Sequence, residues 1–146
     1  AEGLSLAGIA GCIPVDTAVY DVPKQIARVE PKQPARARSY KETFGDEKTQ
    51  KEWSPVTHVA RDTNIPPFLV LHIDREDARI QSRWLAKVLN DAGIPAEVVY
   101  GEGKTHGGIS KDLGLPDDKP TQAVYAFLDR VLKKRRSEPV TPASAP

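Results

Sequence analysis

The sequence predicts an α/β chain built on a short parallel sheet. Three observations carry that expectation. The run Phe68-Leu-Val-Leu-His-Ile73 is apolar on both faces, as a central parallel strand covered on both sides must be. Two amphipathic segments, 78–92 and 121–132, alternate with strand-like runs. An acid, Asp74, closes the central strand, and His106 follows the next strand in a Gly-rich loop, the edge at which open parallel sheets collect their active groups.

Taken in order, residues 8–15 read as a first buried strand, rich in small residues, with 16–21 as the loop after it. Residues 23–29 make a short helix with Pro23 in its first turn. Residues 30–38, with two prolines and several cations but no apolar period, read as an exposed connection. A second short helix is expected over 39–44 with Gly45 as its stop, then a polar helix or turn over 46–52. Ser54-Pro55 is a break, and Ile65-Pro66-Pro67 leads into the strand at 68–73. In the helix at 78–92, Ile80, Trp84, Leu85, Val88 and Leu89 share one side while Arg79, Arg83 and Lys87 take the other, and Gly93 ends it. The next strand is 96–100. The helix at 121–132 carries Val124, Phe127, Leu128, Val131 and Leu132, and the basic cluster 133–136 complements its carboxyl end. Residues 137–146 have the composition of a disordered tail. Three parallel strands with crossover helices are few for a strand as apolar as 68–73. The chain reads as part of a larger sheet, with a helical excursion over 23–52.

The 146 residues suffice for one domain, and 39% apolar with 28% charged residues is a globular balance. A net charge of +1, with both signs mixed along the chain, gives no electrostatic reason to expect nucleic acid as a partner. No apolar run is long enough for a membrane span, and no secretory signal is visible, which leaves the compartment undetermined. The single cysteine, Cys12, excludes an internal disulfide and reads as a buried, inert thiol. Three histidines without regular spacing give no metal signature.

The chemistry expected from the residues is general acid–base catalysis. A carboxylate at residue 74 would take the Nδ1 proton of His106, fix its tautomer and stabilise the imidazolium, leaving the imidazole to serve a hydroxyl nucleophile. Gly101, Gly103, Gly107 and Gly108 give that loop its freedom. Glu76 and Asp77 lie in the same turn and are alternative acids; Asp74 is preferred because it is nearest the strand end. His72, inside the strand, and His58 read as packing or hydrogen-bonding residues.

Ser54-Pro55, Pro66-Pro67-Phe-Leu-Val-Leu-His-Ile-Asp74, Gln81-Ser82, Ala92-Gly-Ile-Pro-Ala-Glu-Val-Val99 and Gly103-Lys-Thr-His106 together resemble the C-terminal half of an α/β-hydrolase. The similarity is greatest to the lipase/esterase and arylformamidase-like branch. Asp112-Leu-Gly-Leu-Pro-Asp117 and the final helix fit the same pattern, as does Tyr20-Asp21-Val22 upstream, so that the resemblance spans residues 4–132. It implies Asp74 as the acid and His106 as the base of a Ser-His-Asp triad, in a partial α/β-hydrolase fold that needs no cofactor. The turn after His72 is tighter than the family pattern, which keeps Asp77 open as the acid. The family's Gly-x-Ser-x-Gly nucleophile turn and its oxyanion loop are absent from these 146 residues, and Ser5 does not replace the nucleophile.

The implied activity is hydrolysis of a small carboxylic ester or related amide, the serine coming from an N-terminal segment. Tyr20, Tyr40, Phe44 and Trp53, in or beside the cap-like excursion, are the expected lining of an acyl or aryl pocket. The alternative is a non-catalytic, truncated hydrolase-like module acting in binding or assembly. In either case the open sheet edge is expected to be covered by the missing segment or by a second copy. A flavodoxin-like binding domain is disfavoured because no phosphate-binding Gly-rich loop follows the first strand.

Overall fold

The computed structural model describes residues 6–61 and 63–137. Two strands pair in parallel, β1 (Phe68–His72) and β2 (Ala96–Tyr100), in register from Phe68 opposite Ala96 to His72 opposite Tyr100. Pro66 and Pro67 delay the ladder until Phe68, whose N–H is the first to find a partner, the Pro95 carbonyl at 2.9 Å. The other edge of β1 is taken by residues 12–16. Cys12 N–H donates to Pro67 O at 2.9 Å, Leu69 N–H to Cys12 O at 2.9 Å, Leu71 N–H to Pro14 O at 2.9 Å and Asp16 N–H to Leu71 O at 2.8 Å. The expected strand over 8–15 is therefore not continuous. It survives as two parallel bridges, Cys12 to Phe68 and Val15 to Leu71, while Leu6–Gly8 is a 3-10 turn. Proline at position 14 is the physical reason: the one bond missing from the alternation is the one its absent N–H would have donated.

Period-two alternation along β1 divides its side chains between two cores. Leu69, Leu71 and Ile73 pack with Ile109, Phe127 and Val131, from α5 (His106–Lys111) and α6 (Lys119–Ser137). Val70 packs on the other face with Leu85 and Leu89 of α4 (Glu76–Asp91), together with Tyr20 and Ile94. Three layers result, helix on sheet on helix. Complete burial of a side chain such as Leu71 contributes about 1.5–3 kcal/mol. Gly11 is set by this packing: a Cβ there would lie 2.7 Å from the Phe127 ring.

Between residues 16 and 68 the chain makes a helical excursion: α1 (Val22–Val29), α2 (Pro34–Phe44), α3 (Glu47–Glu52) and a 3-10 turn, Pro55–His58. Its own small core is Val22, Ile26, Val29 and Ala37, with Val19, Tyr40 and Phe44 against it. Asp21 caps α1 through the Lys24 N–H and Asp46 caps α3 through the Thr49 N–H. Residues 30–38 are not wholly the connection expected: α2 starts at Pro34, where a proline suits the first turn, and its few buried positions hide it from a periodicity argument. Elsewhere the helices run a little longer than read. Position 137 belongs to α6, and the rest of the expected tail, 138–146, lies outside the described residues. Among the described residues no helix is long and apolar enough to cross a membrane.

Candidate active site

The carboxyl ends of the 12–15 segment, β1 and β2 lie side by side, and the chain places a titratable group just beyond each. Asp16 follows the first, Asp74 the second, and His106 comes six positions after the last residue of the third. Nδ1 of His106 lies 2.7 Å from Oδ2 of Asp16. With a carboxylate as acceptor, Nδ1 is the donor, which leaves the proton off Nε2 in the neutral ring. The Asp16 side chain is fully buried while the His106 side chain is 69% exposed. The pair is thus anchored at one end and open to a reactant at the other.

This is not the pairing expected from the sequence. Asp74 lies on the surface, and among the described residues its side chain takes part in no hydrogen bond or ion pair. Asp16 wins because its carboxylate is drawn back over the sheet edge. Oδ1 accepts from the Ile73 N–H at 3.2 Å, the backbone N–H just beyond β1. The residue adopts φ +47, a left-handed conformation that an aspartate tolerates better than most side chains. The loop that carries it is pinned from α4: Gln81 Oε1 accepts from Tyr20 N–H and Asp21 N–H, both at 2.9 Å, and Trp84 Nε1–H donates to Asp21 at 3.0 Å. The sequence did contain a signal, since Asp16 closes an apolar run as Asp74 does. The strain and the Ile73 contact did not show in it.

His106 is not in a loop but opens α5, with Thr105 as N-cap accepting from the Gly108 N–H at 3.0 Å. Gly103, at φ 68, makes the turn that brings the chain to it. Lys104 fastens the same turn to the segment after α5, with Nζ 2.5 Å from Asp112 and 2.7 Å from Asp118. Those bonds, Asp112 first, hold the Lys104 ammonium above its ordinary pKa, and Lys104 in turn holds the Asp118 carboxyl below the usual range.

Asp77, the alternative acid, is buried at the start of α4. Burial opposes its charge, but hydrogen bonds from Arg36 at 2.5 Å and from the Ala78 N–H at 2.8 Å, with the charge of Arg75, outweigh that and keep its carboxyl below the usual range. Arg75 Nε lies between two carboxylates, 3.6 Å from Asp16 and 3.7 Å from Asp77. Of the remaining residues singled out, His72 is buried, bonds the Ile73 carbonyl at 2.8 Å and stacks on Tyr100. His58 bonds the Glu52 carbonyl. Cys12 is half-buried, and burial pushes its thiol up and keeps it protonated. Tyr20 is packed inside the core with Val70 and Leu85, and burial pushes its phenol up to about 12. Tyr40 and Phe44 pack against the excursion's own core, 6.4 Å apart, and Trp53 is 67% exposed. Among the described residues, Tyr20 thus belongs to one hydrophobic cluster and Tyr40 and Phe44 pack against another. Among the described residues, no cluster of His, Cys, Asp and Glu is placed to hold a metal ion.

No family model matches the chain, and no curated protein does. Solved structures do. A propionate-bound thermophilic esterase from the Planctomycetes species Thermogutta terrifontis is 23% identical, with a TM-score of 0.54, over 86% of this chain and 43% of that one. The esterase EstE5, soaked with p-nitrophenyl butyrate, is 17% identical with a TM-score of 0.55, over 88% and 44%. A truncated carbohydrate esterase from gut microbiota is 21% identical with a TM-score of 0.50, over 86% and 43%. The chain therefore has part of the α/β-hydrolase fold of these structures and spans less than half their length, consistent with a C-terminal half.

Proposed function

We propose that this chain is the acid- and base-bearing portion of a serine-type hydrolase of carboxylic esters or related amides. The observation that carries the reading is the 2.7 Å contact between Asp16 and His106 at the carboxyl edge of the sheet, with the imidazole otherwise open. In this reading Asp16 orients the ring and stabilises its charged form, the role expected of Asp74; Asp77 is occupied by Arg36 and is the less suitable acid. Nε2 takes the proton of a serine hydroxyl as its oxygen bonds the substrate carbonyl carbon. The same proton then goes to the leaving alkoxide or amine as the scissile bond breaks. Water then bonds the acyl carbon as Nε2 takes its proton; that proton returns to the serine oxygen as the acyl–oxygen bond breaks, and the carboxylic acid leaves. The serine and the oxyanion donors belong to a segment outside these 146 residues. The edge of residues 12–15 that is unpaired among the described residues, beside an apolar groove of about 350 Å³ lined by Leu6, Ile9, Cys12, Val59 and Phe68, suits the addition of such a segment. The excursion 23–52 serves as a cap, with the exposed Trp53 just beyond it.

The test is hydrolysis of p-nitrophenyl butyrate by the 146-residue chain and by the same chain joined to a serine-bearing N-terminal segment. The expected result is negligible turnover alone, turnover when joined, and its loss in H106A. Absence of turnover in the joined protein, or turnover indifferent to H106A, overturns the reading and favours a non-catalytic binding or assembly module.

A further inference from the structure

We infer that Arg75 is a positioning residue for the Asp16–His106 pair and ties it to the helical excursion through Asp77 and Arg36. The inference deepens the reading of that pair as acid and base, and rests on it. Arg75 is the residue just ahead of α4, and its own side chain makes no capping bond there. Instead the side chain turns to Asp16. Nη2 donates to the Asp16 carbonyl at 3.3 Å, gripping the backbone of the one non-glycine residue with positive φ among those described. Nε is buried, makes no hydrogen bond among the described residues, and stands between the carboxylates of Asp16 and Asp77, 3.6 and 3.7 Å away. Asp77 is then taken by Arg36 of α2 at 2.5 Å, and Arg36 Nε donates to the Tyr40 hydroxyl at 3.2 Å. N–H-bearing groups and carboxylates alternate along the row: imidazole, Asp16, Arg75, Asp77, Arg36. Four separate segments of the chain meet in it.

This arrangement has a physical purpose. A buried carboxylate that served only an exposed imidazole would be poorly compensated each time the ring swung away. Arg75 compensates it continuously and at the same time holds its strained backbone, so that the acceptor stays where the ring returns. Asp77 and Arg36 fix the guanidinium in turn, so a shift of α2 is felt at Asp16.

The experiment follows the Nδ1–H proton of His106 by NMR in the 146-residue chain, assigned by its loss in H106A. The native chain is expected to show it at low field, protected from exchange. In R75Q its exchange is expected to be about tenfold faster or more, as for a pair that opens more often, while the methyl spectrum stays native. R75K, which keeps the charge and loses the fork, is expected to fall between, and R36Q to show a smaller change of the same sign. Unchanged exchange in a folded R75Q overturns the role of Arg75 and leaves the Asp16–His106 pair standing. If R75Q does not fold, R75K decides: native exchange there overturns the inference. A native chain without the resonance overturns the pair and the inference together.

Discussion

Asp16 and His106 are 90 positions apart in the chain and 2.7 Å apart in space, the carboxylate fully buried and the imidazole mostly exposed. That asymmetry separates function from stability. In the serine-bearing protein, H106A is expected to lower kcat by about 10⁴-fold or more, with binding little changed. Its stability is expected to fall by only about 1 kcal/mol, because the ring buries little and Arg75 still faces Asp16. Steady-state kinetics with a urea titration of the same variant checks both.

Gly11 illustrates the opposite case, a residue with no chemistry and a strict volume. A methyl group there meets the Phe127 ring at 2.7 Å, between the 12–16 segment and α6. G11A is expected to cost about 1–3 kcal/mol, and F127L in the same chain to restore much of it. Urea midpoints of the two single variants and the double variant give the coupling.

These two residues show what the sequence could and could not convey. The apolar run of β1 and the amphipathic faces of α4 and α6 are local patterns, and each was legible to within a few residues. The place of His106 just beyond β2 was legible as well, because histidine among glycines after a strand is a local signal. The carboxylate it meets was not. Asp16 and Asp74 each follow an apolar run, and the sequence offers no reason to prefer the first. The choice depends on the Ile73 N–H and the Arg75 side chain, contacts that span 57 and 59 positions. The break in the first strand was written plainly in Pro14, but its consequence needs the partner's register: the missing donor matters only because Leu69 O is where it would have bonded. Helix α5 escaped notice because two glycines in six residues argue against a helix, and only Thr105 and Ile109 support it.

Acid should reveal the Asp77 cluster. Its carboxyl is held below the ordinary value of 3.8 in the folded chain, so its contribution is fully present above that pH. The contribution is lost as pH falls through the lower folded value, because the unfolded chain takes up the proton first. D77N is expected to flatten this limb of the stability curve. Thermal midpoints of native and D77N chains at a series of pH values below 5 would converge toward acid; parallel curves would count against it.

Lys104 is expected to hold the turn ahead of His106 through Asp112 and Asp118. K104A should raise amide hydrogen exchange over residues 102–106 and leave β1 as protected as before. Equal protection in the native chain and K104A would show that the turn holds itself.

The central claim is that Asp16, not Asp74 or Asp77, is the partner of His106. The most direct measurement is the low-field Nδ1–H resonance of His106 in D16N, D74N and D77N, each folded by its methyl spectrum. The Asp16–His106 pairing requires the resonance to survive in D74N and D77N and to vanish in D16N. Its survival in D16N together with its loss in D74N would return the acid to the end of the central strand and contradict the account.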